Sequence, residues 1–198
     1  DTAEQVAAMG IRVGDAVAYD SPLISYSQSD RVSGKAIDNR IGCSVLLQLL
    51  EQMDHRAPAG SLTIVISVQE EIGLRGAQVA AYRVHPDYAL AVDTFMSGDT
   101  PDVDCHRELS AAIGRGPVLL LANSAHVGHP AVNGFLRQAA QAAGVTLQES
   151  MVGQGMAATD AGAAELACLW QAQTVLALIP RLSAMLGETE GGFCSKRI

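Results

Sequence analysis

The sequence predicts a layered α/β domain built on a largely parallel sheet. Three observations point there. Apolar runs of strand length recur along the chain: LTIVISV (62–68), YALAV (88–92), PVLLLA (117–122) and TVLALI (174–179). Segments with helical spacing separate them, and the crossovers are long enough to hold helices. The 198 residues are 48% hydrophobic and 17% charged, which supplies a core and argues against disorder. Aromatic residues make up only 4%, so that core is aliphatic. The length suits one domain, or one domain with a small appendage.

Taken in order, residues 10–27 read as short β structure. AVAY (16–19) and LISY (23–26) flank Ser21-Pro22, and Gly14-Asp15 forms a turn. Residues 28–36 are polar and read as a crossing. From Asp38 to Met53 the pattern is helical, because Ile41, Val45, Leu49 and Met53 recur every four residues. LTIVISV is a continuous apolar run, expected of a strand buried on both faces. Residues 74–82 suit a short helix, and YALAV is a second buried strand ending at Asp93. Residues 94–116, rich in Gly, Asp and Pro, are irregular; Gly114-Arg115-Gly116-Pro117 turns into the strand PVLLLA. Pro130 opens a helix whose apolar face is Val132, Phe135, Leu136, Ala139, Ala140 and Ala143. VTLQES (145–150) alternates like a strand, 160–169 reads as a helix behind Thr159-Asp160, and TVLALI is the last strand.

Composition also excludes function classes. The net charge is −8, from 21 acidic and 13 basic residues, with no Lys/Arg run. Nucleic acid is therefore not expected as a partner. No apolar stretch approaches the ~18 residues of a membrane span. The four cysteines are scattered, with no CxxC pair, which argues for a reducing, cytoplasmic setting rather than disulfides or a thiolate zinc site. The chain opens on polar DTAEQ without an initiator Met, so no secretory signal is expected and residue 1 reads as an internal point of a longer polypeptide.

The chemistry concentrates in carboxylates. Function in an open α/β sheet gathers at the carboxyl ends of the strands. Glu70 and Glu71 stand at one such end, Asp93 at another, and Asp38 opens a helix. Clusters of hard oxygen donors bind divalent cations, and a carboxylate that is not a ligand can deprotonate a water. Neighbouring strand residues point to opposite faces, so Glu70 and Glu71 share a site only if the backbone already turns there; Gly73 permits that turn. Each residue has a plainer alternative. Asp38 can cap its helix, Asp93-Thr94 can be an ordinary strand end, and Glu70-Glu71 can be solvated. Paired carboxylates can also serve glycosidic hydrolysis, though no aromatic sugar platform is visible.

Three segments, GKAIDNRIG (34–42), SVQEEIGLRGA (67–77) and YALAVDT (88–94), occur in an order and spacing that resembles the M42 family of metal-dependent aminopeptidases. IGRGP (113–117), His129-Pro130 and ATDA (158–161) fit the same pattern, and the resemblance spans roughly residues 10–180. It implies a three-layer α/β/α core with a mixed, mostly parallel sheet. Residues 1–27 would be the tail of an inserted β-rich dimerisation domain and 28–198 the catalytic-type domain. Two divalent ions, zinc or cobalt, would be bound: Asp38 would bridge them, Glu71 would ligate one and Asp93 the other. Glu70 would be the general base, and the peptide after Asp38 would be cis. A peptide would be the substrate, and a homo-oligomer the possible assembly.

The family's early His-x-Asp motif belongs to a part this sequence lacks. Its second histidine ligand would fall at Met185, by ungapped alignment through TVLALIP (174–180). The histidines present are His55, His85, His106, His126 and His129; His106 and His126 lie where they could approach the site. Carboxylates without imidazoles make a harder, weaker site that leans away from zinc, and unpaired they repel and hold protons. The expectations are thus an aminopeptidase impaired in this chain, a non-catalytic or truncated homologue, or a carboxylate glycoside hydrolase. Arg40 and Arg75 are expected to pair with the acidic ligands.

Overall fold

The structure, a computed structural model, describes residues 2–53, 60–101, 103–153, 159–167 and 172–178. Its main sheet has four strands: β3 (Tyr88–Thr94), β4 (Val118–Ala122), β5 (Gln148–Met151) and β6 (Ala172–Leu178), in the order β3-β6-β4-β5. The pairs β3/β6 and β4/β5 are parallel, whereas β4/β6 is antiparallel. The sheet is mixed and mostly parallel, as expected. A separate two-stranded ribbon pairs β1 (Ile24–Ser25) with β2 (Val32–Ser33), and α1 (Ala3–Ala8) precedes it. The expected strand at 16–19 does not form: Val17 and Tyr19 are exposed in a stretch without a ladder. The helix α1 adds to the sequence expectation: Thr2 accepts from the Gln5 N–H and Gln5 reaches back to the Thr2 N–H, a capping box that a short polar segment can carry.

The helices α2 (Ile37–Met53), α3 (Arg75–Val84), α4 (Pro130–Ala142) and α5 (Asp160–Ala167) fall where periodicity puts them. Pro130 opens α4 behind a cap in which His129 Nδ1 accepts from the Ala131 N–H at 3.2 Å. The predicted apolar face of α4 is only partly covered, because Phe135 stays exposed and the fully buried position is Asn133. The core sits on β4, where Val118, Leu119 and Leu120 are all 0% exposed, with Phe95, Leu109, Ala111, Val152 and Ala161 packed around it. Gly116 carries φ +97° and abuts the Thr146 backbone so closely that a Cβ would overlap it, which explains the glycine-rich turn ahead of β4.

Two further strand expectations need correction. LTIVISV has no strand ladder among the described residues, and Leu62, Val65, Ile66 and Val68 are exposed. An apolar run becomes a two-face-buried strand only when neighbours supply both ladders; here none of the described strands does. YALAV does form β3, but its residues are exposed or half-buried rather than buried, because β3 is one of the two edge strands of the sheet among the described residues.

Candidate metal centre

The site assembles where α2 begins, β3 ends and the extended segment 62–68 turns towards α3. The helix α2 is broken at its start. Asp38 and Asn39 have non-helical backbone angles, and the peptide between them is cis, as the family resemblance implies. The cap of the regular part is Asn39, whose Oδ1 accepts from the Gly42 N–H at 2.9 Å. Asp38, offered above as a possible cap, is left free of that duty. The Asn39 side-chain amide donates to the Val92 carbonyl at 2.8 Å and to Asp93 Oδ1 at 3.2 Å. One side chain therefore ties the start of α2 to the end of β3. Gly42 is required by the same packing, since a Cβ there would collide with the Asn39 amide.

Glu70 and Glu71 stand in a turn, as their sharing of a site requires. The turn begins at Gln69, with φ 59°, and closes through Gly73, φ 123°, and Leu74, φ 56°. The Glu70 carbonyl accepts from the N–H groups of Gly73 at 3.0 Å and Leu74 at 2.9 Å. Val68 and Gln69 carbonyls accept from Gly76 at 2.9 Å and Arg75 at 3.3 Å. The carboxylate pair thus rides on the first turn of α3.

The charges converge. Burial pushes the Glu70 carboxyl up to about 7; Asp93, Glu71, Asp160 and Asp38 add to the rise in that order. Burial likewise raises Asp93 to about 6, opposed by the Thr94 N–H that donates to its Oδ1 at 2.8 Å and reinforced by Asp38, Asp160 and Glu71. For Glu70 and Asp93 the shift runs in the expected direction, with burial rather than mutual repulsion as its leading cause. All four predicted carboxylates therefore share one electrostatic neighbourhood, together with a fifth, Asp160. Among the described residues both donors to Asp93 take Oδ1, which leaves Oδ2 for a ligand. Hard oxygen donors with raised proton affinity fit a divalent cation. Among the described residues, however, no three His, Cys, Asp or Glu side chains close into a group that could hold a metal ion.

The other sequence expectations divide. Arg40 and Arg75 make no ion pair among the described residues; the pairs seen are Arg31 with Asp99 and Arg137 with Glu149. His126 is buried and His129 caps α4, and neither belongs to a metal-holding group. His55 and Met185 lie outside the described residues. The roles of three residues are not legible in the sequence: Asn39, Ser67 and Asp160. Asn39 directly follows Asp38, and an Asx side chain at a helix start is a legible signal of a cap. Thr159-Asp160 stands where a helix cap is expected, but Thr159 Oγ1 is buried without a partner, and Asp160 Oδ2 accepts from Ser67 Oγ.

The sequence model of the M42 glutamyl aminopeptidase family matches residues 1–178. The glutamyl aminopeptidase of Lactococcus lactis subsp. cremoris (strain MG1363) is 34% identical over 181 residues, which is 91% of this chain and 49% of that protein. Among solved structures, the TET aminopeptidase of the marine sediment archaeon Thaumarchaeota archaeon SCGC AB-539-E09 superposes with a TM-score of 0.76 at 30% identity, covering 89% of this chain and 49% of that one. PhTET1-12s, a dodecamer in its crystal, superposes with a TM-score of 0.61 at 26% identity, covering 75% and 42%. The chain thus spans about half the length of the relatives it matches.

Proposed function

Because the chain belongs to the M42 glutamyl aminopeptidase family, we propose that its carboxylate cluster serves metal-dependent removal of N-terminal residues from peptides. The observation that carries this reading is that Asp38, Glu71 and Asp93 all act electrostatically on Glu70, across the start of α2, the turn before α3 and the end of β3. Asp38, Glu71 and Asp93 would hold two divalent ions, zinc or cobalt. When bound, the ions would polarise the scissile carbonyl and lower the proton affinity of the attacking water. Glu70 would take a proton from the attacking water as it adds to the carbonyl carbon, and would deliver it to the leaving amine as the C–N bond breaks. Asn39 holds Asp93 in register with the start of α2. A homo-oligomer and a cytoplasmic setting belong to the same proposal; no helix among the described residues is long and apolar enough to cross a membrane.

We further propose that this chain alone binds those ions weakly and turns over slowly. The support is that no three His, Cys, Asp or Glu side chains among the described residues form a group that could hold a metal ion, and that Glu70 and Asp93 hold their protons more tightly than ordinary carboxylates, so a cation must compete with them. Assay of aminoacyl p-nitroanilides with added Co²⁺ is expected to show slow, metal-dependent release, lost by at least ~100-fold in Glu70→Gln. Cleavage of a cello-oligosaccharide instead, or turnover indifferent to chelator, overturns the peptidase reading. Calorimetric titration showing two tightly held ions per chain overturns the weak-site reading.

A further inference from the structure

Ser67 and Asp160 meet at the point where the catalytic turn would otherwise be poorly held. The segment 62–68 has no ladder among the described residues, and four of its aliphatic side chains face solvent. A peptide stretch without ladder or packing is easily displaced. Yet its end carries Glu70 and Glu71, whose placement must be reproducible for any chemistry they perform.

The other partner is fixed. Asp160 begins α5, whose next residues Ala161, Ala163 and Ala164 are 2%, 5% and 8% exposed. Gly162 lies so close to the Ala125 backbone that a Cβ would overlap it, so the first turn of α5 is docked without slack. Asp160 Oδ2 accepts a hydrogen bond from Ser67 Oγ, three residues ahead of Glu70. Its other oxygen, Oδ1, is buried without a partner. A half-buried carboxylate that leaves one oxygen unsatisfied is costly, and α5 would be spared that cost by a neutral residue at this position.

We propose that Asp160 is a positioning residue: through Ser67 it anchors the ladderless segment 62–68 to α5, and so sets where Glu70 and Glu71 stand relative to Asp93. The effect reaches the carboxylates along the chain through the Val68–Glu70 carbonyls, which accept from the amides of Gly73, Leu74, Arg75 and Gly76. The consequence for metal uptake rests on the reading given under Proposed function; the anchoring itself does not.

Hydrogen exchange on the metal-free full chain tests the anchor. Ser67→Ala and Asp160→Ala should each speed exchange of the Gly73–Gly76 amides about tenfold, the loss expected for one hydrogen bond to a charged acceptor. The double variant should exchange no faster than either single one, and β4 should be unaffected. Asp160→Asn keeps an oxygen acceptor for Ser67 and should stay within about threefold of the parent. Unchanged exchange in the alanine variants, additive effects, or an asparagine variant as fast as the alanine one each overturn the proposal. Co²⁺ titration of the same set should rank affinity in the same order, with losses of about tenfold or more in the alanine variants. A parent chain that takes up no Co²⁺ refutes the metal reading, while exchange still decides the anchor.

Discussion

Two apolar runs of this chain look alike in sequence and meet opposite fates. PVLLLA contains β4, which is flanked by β5 on one side and β6 on the other, and Val118, Leu119 and Leu120 are 0% exposed. LTIVISV has no ladder among the described residues, and Leu62, Val65, Ile66 and Val68 are 49%, 42%, 58% and 67% exposed. The difference teaches that apolar continuity states a capacity for burial, and neighbouring strands realise it. The stable run carries no chemistry of its own; the ladderless one ends in the two glutamates of the candidate site.

The largest expected effect tests that contrast directly. Leu119→Ala empties space inside a closed core and should cost about 2–5 kcal/mol of stability. Ile66→Ala removes a side chain that is mostly in water already and should cost less than about 1 kcal/mol. Denaturant titration of both variants in the same buffer decides it. Comparable losses would show that 62–68 is packed in solution against something that buries it.

A second pair of variants probes how the ladderless run is held. Gly76 abuts Val68, and a Cβ there would overlap the Val68 backbone nitrogen and oxygen. Gly76→Ala should therefore push the Val68–Glu70 turn off α3, costing about 1–3 kcal/mol. Gly134 also lies in a helix, but a Cβ there meets nothing; Gly134→Ala should stabilise by about 0.5–1 kcal/mol through helix propensity alone. Thermal melts of the two variants should move in opposite directions. A neutral Gly76→Ala would mean the turn is not seated on α3.

The same contrast explains what could be read beforehand. The helices were legible because period and punctuation are local: Pro130 behind His129 marks the start of α4, and four-residue spacing marks α2. The four carboxylates were legible because each stands at an element end next to a turn residue. Burial was not legible, because it depends on which strands lie alongside, and that is a property of the whole sheet. So LTIVISV and YALAV were both expected inside and neither is. The roles of Asn39, Ser67 and Asp160 were hidden for a related reason. Their partners, Val92, Asp93 and one another, lie 53 to 93 residues away in the chain, and the sequence signal of each is equally that of an ordinary cap.

The smallest effect expected is also the one that links the ladderless run to its chemistry. Glu70 and Asp93 have folded-state pKa values of about 7 and about 6, above their ordinary 4.5 and 3.8. A carboxyl raised on folding contributes stability that is complete below its ordinary value and is lost as pH rises through its folded one. The melting temperature of the metal-free chain should therefore fall between about pH 5 and pH 7.5. Around β5 the sign is reversed. The Arg137 guanidinium donates to Glu149 at 2.6 and 2.8 Å and lowers that carboxyl, so its contribution is present at neutral pH and fades on acidification. Both side chains are exposed, so that effect should be slight. Glu70→Gln removes the upper part of the fall, whereas Glu149→Gln leaves it in place. Added Co²⁺ should also suppress the fall, because a bound cation favours the ionised carboxylates that burial disfavours. A melting temperature that stays level or climbs over that range in chelator would mean that Glu70 and Asp93 are solvated, and that the end of the ladderless run is as open as its middle.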